Sequence, residues 1–405
     1  MLHIKPIISS LLHSKSGPFL LFLQMMLSVA IIANASSIIN QRLELMDRES
    51  GVDETKVLTF RVSSFSENTD HEAQNKRDQQ MLRDLPNVIN VSSTNMFPLS
   101  GGGWSTGLLD KPDPNAEGVK RTPQAAQYMG NEHFLDTLGL TLVEGRNFYP
   151  EEILHEHGYA NQKVIVSKPL ADEYWGEESP IGKILYHGTE YPIEVIGVVD
   201  KLQGAWVDSD FLDNSFIFNI DFGSQSAGGM YFVRANEEHI PELKQQIETA
   251  FLAEDPDRVV IEFLTVRESR DISYQNDALM VYILSIVIVL LLLVSSLGLA
   301  GMVMFNVQRR TKQIGTRRAL GARKRDIINQ FLVENYVICL AAGVCGGLLA
   351  VQLGKQLMQH YSLPALDLTY PLVTIAGLFI VTSIAVFLPA RKAATISPAI
   401  ATRSV

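Results

Sequence analysis

Three short constellations in this 405-residue sequence have residue types that could do chemistry. Gly103-Trp-Ser-Thr-Gly107 has the G-x-S-x-G spacing that exposes a nucleophilic serine, provided a strand leads into it and a helix leads out. Here Pro98-Leu-Ser-Gly-Gly-Gly precedes and Asp110-Lys-Pro-Asp-Pro follows, so a flexible loop is expected instead. Gly176-Glu-Glu-Ser-Pro-Ile-Gly-Lys-Ile is nearest to a phosphate-binding loop. It has five residues rather than four between its glycines, and Ile184 stands where a magnesium-binding hydroxyl belongs. His155-Glu-His157 is not HExxH, and its histidines fall on different faces of a helix, so a surface pair is expected. No catalytic residue, metal site or bound cofactor is expected in the chain. Gly101, Gly102, Gly103 and Trp104 are read as a loop that touches cargo or a partner.

The elements around these motifs are those of a membrane protein. Hydrophobic residues make up 46% of the chain and mean hydropathy is +0.10, yet the formal net charge is −10. That pairing suggests apolar spans joined to an acidic soluble part. The two cysteines, Cys339 and Cys345, share one apolar run, so no disulfide framework or zinc spacing is present. Four apolar stretches reach the roughly 20 residues a bilayer-crossing helix needs. They are read at 18–39, 278–307, 331–353 and 371–388. In lipid each must be helical, because every backbone group has to be paired internally. The first is longer than a signal-peptide core and is expected to stay uncleaved. Residues 1–17 are basic, with apolar residues on one side, and suit an amphipathic helix at the inner interface.

Charge orients the spans. The loop 308–330 carries Arg309, Arg310, Lys312, Arg317, Arg318, Arg323, Lys324 and Arg325 against the single acid Asp326, and the tail 389–405 adds Arg391, Lys392 and Arg403. Residues 41–277 hold 20 Lys and Arg against 41 Asp and Glu. The positive-inside rule then places both termini and the 308–330 loop in the cytoplasm. Residues 40–277 lie outside, in the periplasm of a cell with two membranes, and 354–370 form a short outer loop. The acidic outer part argues against nucleic acid as a partner. The basic loop reads as a face that meets membrane lipid. Glu334 is placed at the inner edge of the third span, as an interfacial residue.

In the outer part, strands at Val57–Ser63 and Asn87–Ser93 flank a helix near His71–Leu85. Strands at Gly229–Arg234 and Arg258–Leu264 flank a helix at Ile240–Leu252. About 95–225 alternate short strands (Val164–Val166, Ile193–Val199, Phe216–Ile220) with turn residues. The expected fold is four transmembrane helices with a large extracytoplasmic α+β domain. That domain comprises a porter-like α/β lobe from both ends and an inserted, mostly-β lobe. The polar stretch Arg267–Asp277 suggests a continuous stalk helix into the second span. Gln24, Asn34, Ser295 and Ser296 suggest interhelical hydrogen bonds, and Gly298, Gly301, Gly343, Gly346 and Gly347 suggest close helix packing across a dimer.

Three stretches resemble the MacB-like/FtsX-like permease family. Arg309-Arg-Thr-Lys-Gln-Ile-Gly-Thr-Arg-Arg-Ala-Leu-Gly-Ala-Arg-Lys-Arg-Asp-Ile-Ile-Asn-Gln-Phe-Leu-Val-Glu is similar to its signature between the second and third spans. Pro389-Ala-Arg-Lys-Ala-Ala-Thr-Ile-Ser-Pro-Ala is similar to its C-terminal motif, within an FtsX-like region at 278–398. Phe134-Leu-Asp-Thr-Leu-Gly-Leu-Thr-Leu-Val-Glu-Gly-Arg-Asn-Phe, Pro180-Ile-Gly-Lys and Ile193-Glu-Val-Ile-Gly-Val-Val-Asp are similar to its periplasmic core.

The resemblance implies an inner-membrane, type VII, mechanotransmission permease that lacks its own nucleotide site. It would export an unidentified substrate using an ABC ATPase subunit that holds ATP and Mg. The implied partners are that ATPase, a second permease copy (homo- or heterodimer) and a periplasmic adaptor or membrane-fusion protein. It assigns ATPase coupling to Gln313, Gly315, Arg317, Arg318, Leu320, Gly321, Ala322, Lys324 and Asp326. Gln313 departs from the family's usual Glu. Gly315 and Gly321 are expected to turn the chain, and Ala322–Gln330 to form a short helix across the inner face. The alternatives are a lipoprotein-releasing permease and an FtsX-type regulator of cell-wall hydrolases. A membrane-anchored enzyme using Ser105 is the third rival.

Overall fold

The computed structural model describes residues 16–64, 70–155, 161–187, 191–225, 228–361 and 365–395. The amphipathic segment expected before residue 16 and the end of the C-terminal motif lie outside these residues. The chain divides into two compact units, one holding its two ends and the other spanning Arg48–Gln275.

In chain order, helix α1 (Ser16–Met46) comes first. The second unit then opens with β1 (Val57–Ser64), α2 (His71–Arg83) and β2 (Val88–Ser93). The inserted lobe holds β3 (Ser105–Thr106), β4 (Ala125–Met129), α3 (Phe134–Leu138), β5 (Leu142–Gly145), β6 (Gln162–Ser167), α4 (Lys168–Trp175), β7 (Ile184–His187), β8 (Tyr191–Val199) and β9 (Ser215–Phe218). The unit closes with β10 (Gly228–Ala235), α5 (Ile240–Glu254), β11 (Arg258–Thr265) and α6 (Val266–Ser273). Helices α7 (Gln275–Arg309), α8 (Thr311–Ala319), α9 (Lys324–Tyr361) and α10 (Thr369–Ala394) complete the chain. Four of them (α1, α7, α9 and α10) are long and apolar enough to cross a membrane.

The first sheet of the second unit has the order β11-β1-β10-β2, and every neighbouring pair is antiparallel. Each β-α-β unit is therefore split by a strand of the other: β10 lies between β1 and β2, and β1 between β10 and β11. The period of two in β1 sorts its side chains by face. Leu58, Phe60 and Val62 pack with Leu82 of α2 and with Ile247 and Phe251 of α5. Val57 joins Phe97, Phe134, Ile217 and Phe232 in a core shared with the inserted lobe. Burial on both faces explains why Val57–Phe60 is buried without interruption. The second sheet runs β3-β4-β9-β6-β8-β5, with β7 on β8, and mixes parallel and antiparallel pairs.

The stalk is not one helix. Thr265 caps α6 in a box with Glu268, but the helix ends at Ser273, and Tyr274 (φ −91°, ψ 7°) separates it from α7. Tyr274 is buried beside the Arg270 guanidinium, which Glu54 and the Arg48 carbonyl hold.

Among the spans, polar and small residues serve contacts within the chain. Ser28 and Ser295 share a hydrogen bond at 3.1 Å, joining α1 and α7. Asn34 donates to the carbonyls of Ala30 and Ala350, joining α1 and α9. Ser296 instead bonds its own helix at Leu293. The glycines expected to pack across a dimer are mostly used inside the protomer. Gly298 lies against Gln24, Gly343 and Gly347 against Ile375, and Gly346 against Met26 and Val29. Gly301 alone of the five meets nothing within 4 Å.

A Cβ on Gly346 would stand 2.6 Å from the Met26 carbonyl oxygen and 2.8 Å from Val29 Cβ. Alanine favours a helix over glycine by about 1 kcal/mol, but overpacking against backbone costs about 1–3 kcal/mol. Gly346→Ala is therefore expected to lower the thermal midpoint of the detergent-solubilised protein. A raised midpoint would show that α1 can yield there.

Candidate functional site

The segment between α7 and α9 concentrates basic residues: Arg310, Lys312, Arg317, Arg318 and Arg323. Arg310 (φ −102°, ψ 14°) is the single residue between α7 and α8. Helix α8 ends in a Schellman arrangement: Gly321 N–H bonds the Arg318 carbonyl at 3.2 Å, and Ala322 N–H bonds that of Arg317 at 3.0 Å. Gly321 has φ +96°, a conformation that glycine adopts without strain. Asp326 then accepts the Arg323 N–H at 2.9 Å at the start of α9.

This geometry corrects two expectations. The short surface helix is Thr311–Ala319, before Gly321, and not Ala322–Gln330. Residues 324–330 are the first turns of a helix that runs unbroken to Tyr361. Gly315 makes no turn. It is buried within α8, where its neighbour Ile314 packs with Ile327, Phe331 and Ala390.

Two arginines hold α8 in place. Arg317 bonds the Gln330 side-chain carbonyl, and Arg318 bonds the carbonyl of Ala394 in the last turn of α10. The second contact sets a cation at the negative end of a helix. With α8 fixed, Leu320 projects at its tip and is 82% exposed. Gln313, Lys324 and Asp326 are also exposed, and Ala322 is half-buried. An apolar side chain presented by a braced turn among cations can meet a partner that has an apolar socket with an acidic rim.

Sequence reasoning missed the network that joins three residues beneath this loop. Arg310 donates to both oxygens of Glu334 at 3.0 Å, and Gln330 donates to Glu334 at 3.0 Å. Glu334 is only 6% exposed, a buried and paired group. Its position in an apolar run and the four-residue spacing from Gln330 were the available signals.

The other motifs are placed plainly. Ser105 lies in β3, paired with Ala126, and the next helix begins only at Phe134, so the strand–turn–helix of a nucleophile elbow is not formed. Nor is the preceding loop free: Leu99 and Gly101 N–H groups bond the carbonyls of Gly204 and Ala205. Trp104 is 46% exposed and packs edge-on to Phe222. Gly103 is pressed on Met96, whereas Gly101 and Gly102 are open. Lys183 pairs with Glu178 and precedes β7, not the helix a phosphate loop requires. His155 Nδ1 is 3.9 Å from Asp221, and Glu156 and His157 lie outside the described residues.

The MacB-like periplasmic core domain family matches residues 19–250, and the FtsX-like permease C-terminal family matches residues 285–398. The macrolide export ATP-binding/permease protein MacB of Vibrio parahaemolyticus is 27% identical over 278 residues, which is 66% of this chain and 41% of that protein. Its counterpart in a Shewanella species is 27% identical over 337 residues, 80% of this chain and 47% of that protein. The chain thus spans less than half the length of these relatives. The crystal structure of the periplasmic region of MacB from Actinobacillus actinomycetemcomitans aligns at 15% identity with a TM-score of 0.35, covering 58% of this chain and 98% of that one. The core-domain match covers more than half of the chain and the permease match most of the remainder, so this membrane protein with its extracytoplasmic domain belongs to the MacB/FtsX-like family of ABC transporter permeases.

Proposed function

We infer that the chain is the transmembrane, non-catalytic part of an ATP-driven exporter, and that the loop around α8 docks on an ABC ATPase lying outside these 405 residues. The observation that carries this reading is Leu320, 82% exposed at the end of a helix braced by Arg317 and Arg318. Leaving an apolar side chain in water favours a partner that covers it, by about 2 kcal/mol for full burial. The positive-inside balance supports an inner-membrane orientation with the loop and both termini in the cytoplasm and Arg48–Gln275 in the periplasm. The apolar stretch of α7 is 6% buried in the chain against 50% for α1, which leaves it to lipid and to a second permease copy. ATP and Mg belong to the ATPase. An adaptor on the periplasmic side and the loop Gly101–Trp104 complete the proposed contacts.

The test is tagged purification in mild detergent, counting every co-purifying chain. An ATPase at one copy per permease supports the reading, and Leu320→Asp is expected to lower its recovery at least tenfold without changing the permease yield. Recovery of a wall hydrolase, or of no ATPase with the wild-type chain, would overturn it.

A further inference from the structure

We propose that the Arg310–Glu334 pair, its carboxylate buried and its guanidinium half-buried, is with Gln330 a hinge clamp that passes movement of the surface helix α8 into spans α7 and α9. The proposal rests on the docking reading above. Arg310 is the one non-helical residue between α7 and α8, so any tilt of α8 relative to α7 must be absorbed there. Its guanidinium is held by both oxygens of Glu334, four residues beyond Gln330 on α9. Gln330 acts in two directions: its carbonyl accepts from Arg317 of α8, and its amide donates to Glu334. Arg317, Gln330, Glu334 and Arg310 therefore form one continuous line from the proposed docking helix through α9 to the hinge.

A carboxylate buried at the end of a span is poorly explained by stability alone: taking the Glu334 charge from water costs several kcal/mol, and apolar replacements of buried paired groups are often neutral or stabilising. Ionisable residues in apolar spans are functional by default, with a nearby partner. Placement at the hinge supplies the function. With Arg310 Nη1 shared between both Glu334 oxygens, and Gln330 tied to Arg317 and Glu334, α8 and the hinge are linked to α9, so that the three elements move together.

The test uses the full chain with its ATPase in nanodiscs. Arg310→Met with Glu334→Gln removes both charges of the pair together. This variant is expected to keep the wild-type thermal midpoint and to recover the ATPase at the wild-type ratio. The ATP-induced change in hydrogen exchange across Arg48–Gln275 is expected to fall at least fivefold. Arg310→Lys, which keeps the charge, should retain a measurable part of that change. Gln330→Leu, which spares the pair, should show an intermediate loss. A double variant that transmits the ATP signal as the wild type does overturns the clamp. So does a double variant that loses its thermal midpoint, because the pair would then be holding the fold. Failure of the wild-type chain to recruit an ATPase sinks the docking reading instead, and is seen in the same experiment.

Discussion

Arg317→Glu combined with Arg318→Glu is expected to reduce ATPase stimulation by the permease to the basal rate, a loss of more than tenfold. Both side chains have inward partners. Arg317 reaches Gln330, itself bonded to Glu334, so a carboxylate at 317 would face acceptors and a second carboxylate. Arg318 sits on the Ala394 carbonyl, where a carboxylate would oppose the negative end of α10. The brace on α8 would be released from both sides, and two of the cations beside Leu320 would become anions. Reversal of charges at a docking surface is commonly worth about 2–5 kcal/mol when the pairs are desolvated, which is why the effect should exceed tenfold. The check is the rate of separately purified ATPase to which wild-type or variant permease is added, alongside near-ultraviolet circular dichroism of the permease. Stimulation that stays at the wild-type level would remove the docking assignment. Unlike the neutral pair at Arg310 and Glu334, this variant is expected to lose the ATPase during purification.

How far these features can be read from sequence depends on the distance over which each is decided. The run from Ile286 to Val294 announces a span by its own composition, and α7 contains it. The alternation in Val57–Ser64 and the apolar positions Ile240, Leu243, Ile247 and Phe251 are likewise local, and they yield the strand and helix that occur. Strand order is different. That β10 inserts between β1 and β2 is settled by pairings such as Val57 with Arg234 and Tyr231 with Ser93, more than a hundred residues apart in the chain. In the loop, glycine was given too uniform a meaning. Gly321 turns the chain because its backbone has positive φ, whereas Gly315 lies in a helix whose buried face accepts a residue without a side chain. The segment proposed to dock is marked by its resemblance to the family. The residues beneath it are not marked, because a lone Glu at a span's edge looks interfacial until the partner from another helix is known.

The second large effect lies in the outer domain, at a pair no local pattern reveals. Asp78 and Arg258 stand 180 residues apart, and their side chains are 1% and 2% exposed. Arg258 Nη1 donates to Asp78 at 2.8 Å and its second amino group makes a parallel bond, while the Tyr231 hydroxyl donates to Asp78 at 2.8 Å. Burial, reinforced by the Asp78 carboxylate, pushes the Tyr231 hydroxyl well above its usual pKa, so it remains a donor. The Arg258 guanidinium also lies 4.7 Å from the Phe251 ring centre, within the cluster that closes α5 over the sheet. Asp78→Ala would leave the buried guanidinium with only the longer 3.4 Å contact to Glu254 and the Tyr231 hydroxyl without its acceptor, a loss of about 3 kcal/mol. The expected result is a fall in the urea midpoint of the outer-domain transition, followed by tyrosine and tryptophan signals in the full-length protein. Asp78→Leu with Arg258→Met should recover most of it, since the buried charges leave together and their volume is kept. If the double variant is no more stable than Asp78→Ala, the loss comes from packing of α2 on the sheet rather than from an orphaned charge. A stability for Asp78→Ala equal to the wild type would mean that water reaches Arg258 and that the pair contributes little to joining α2 to β11.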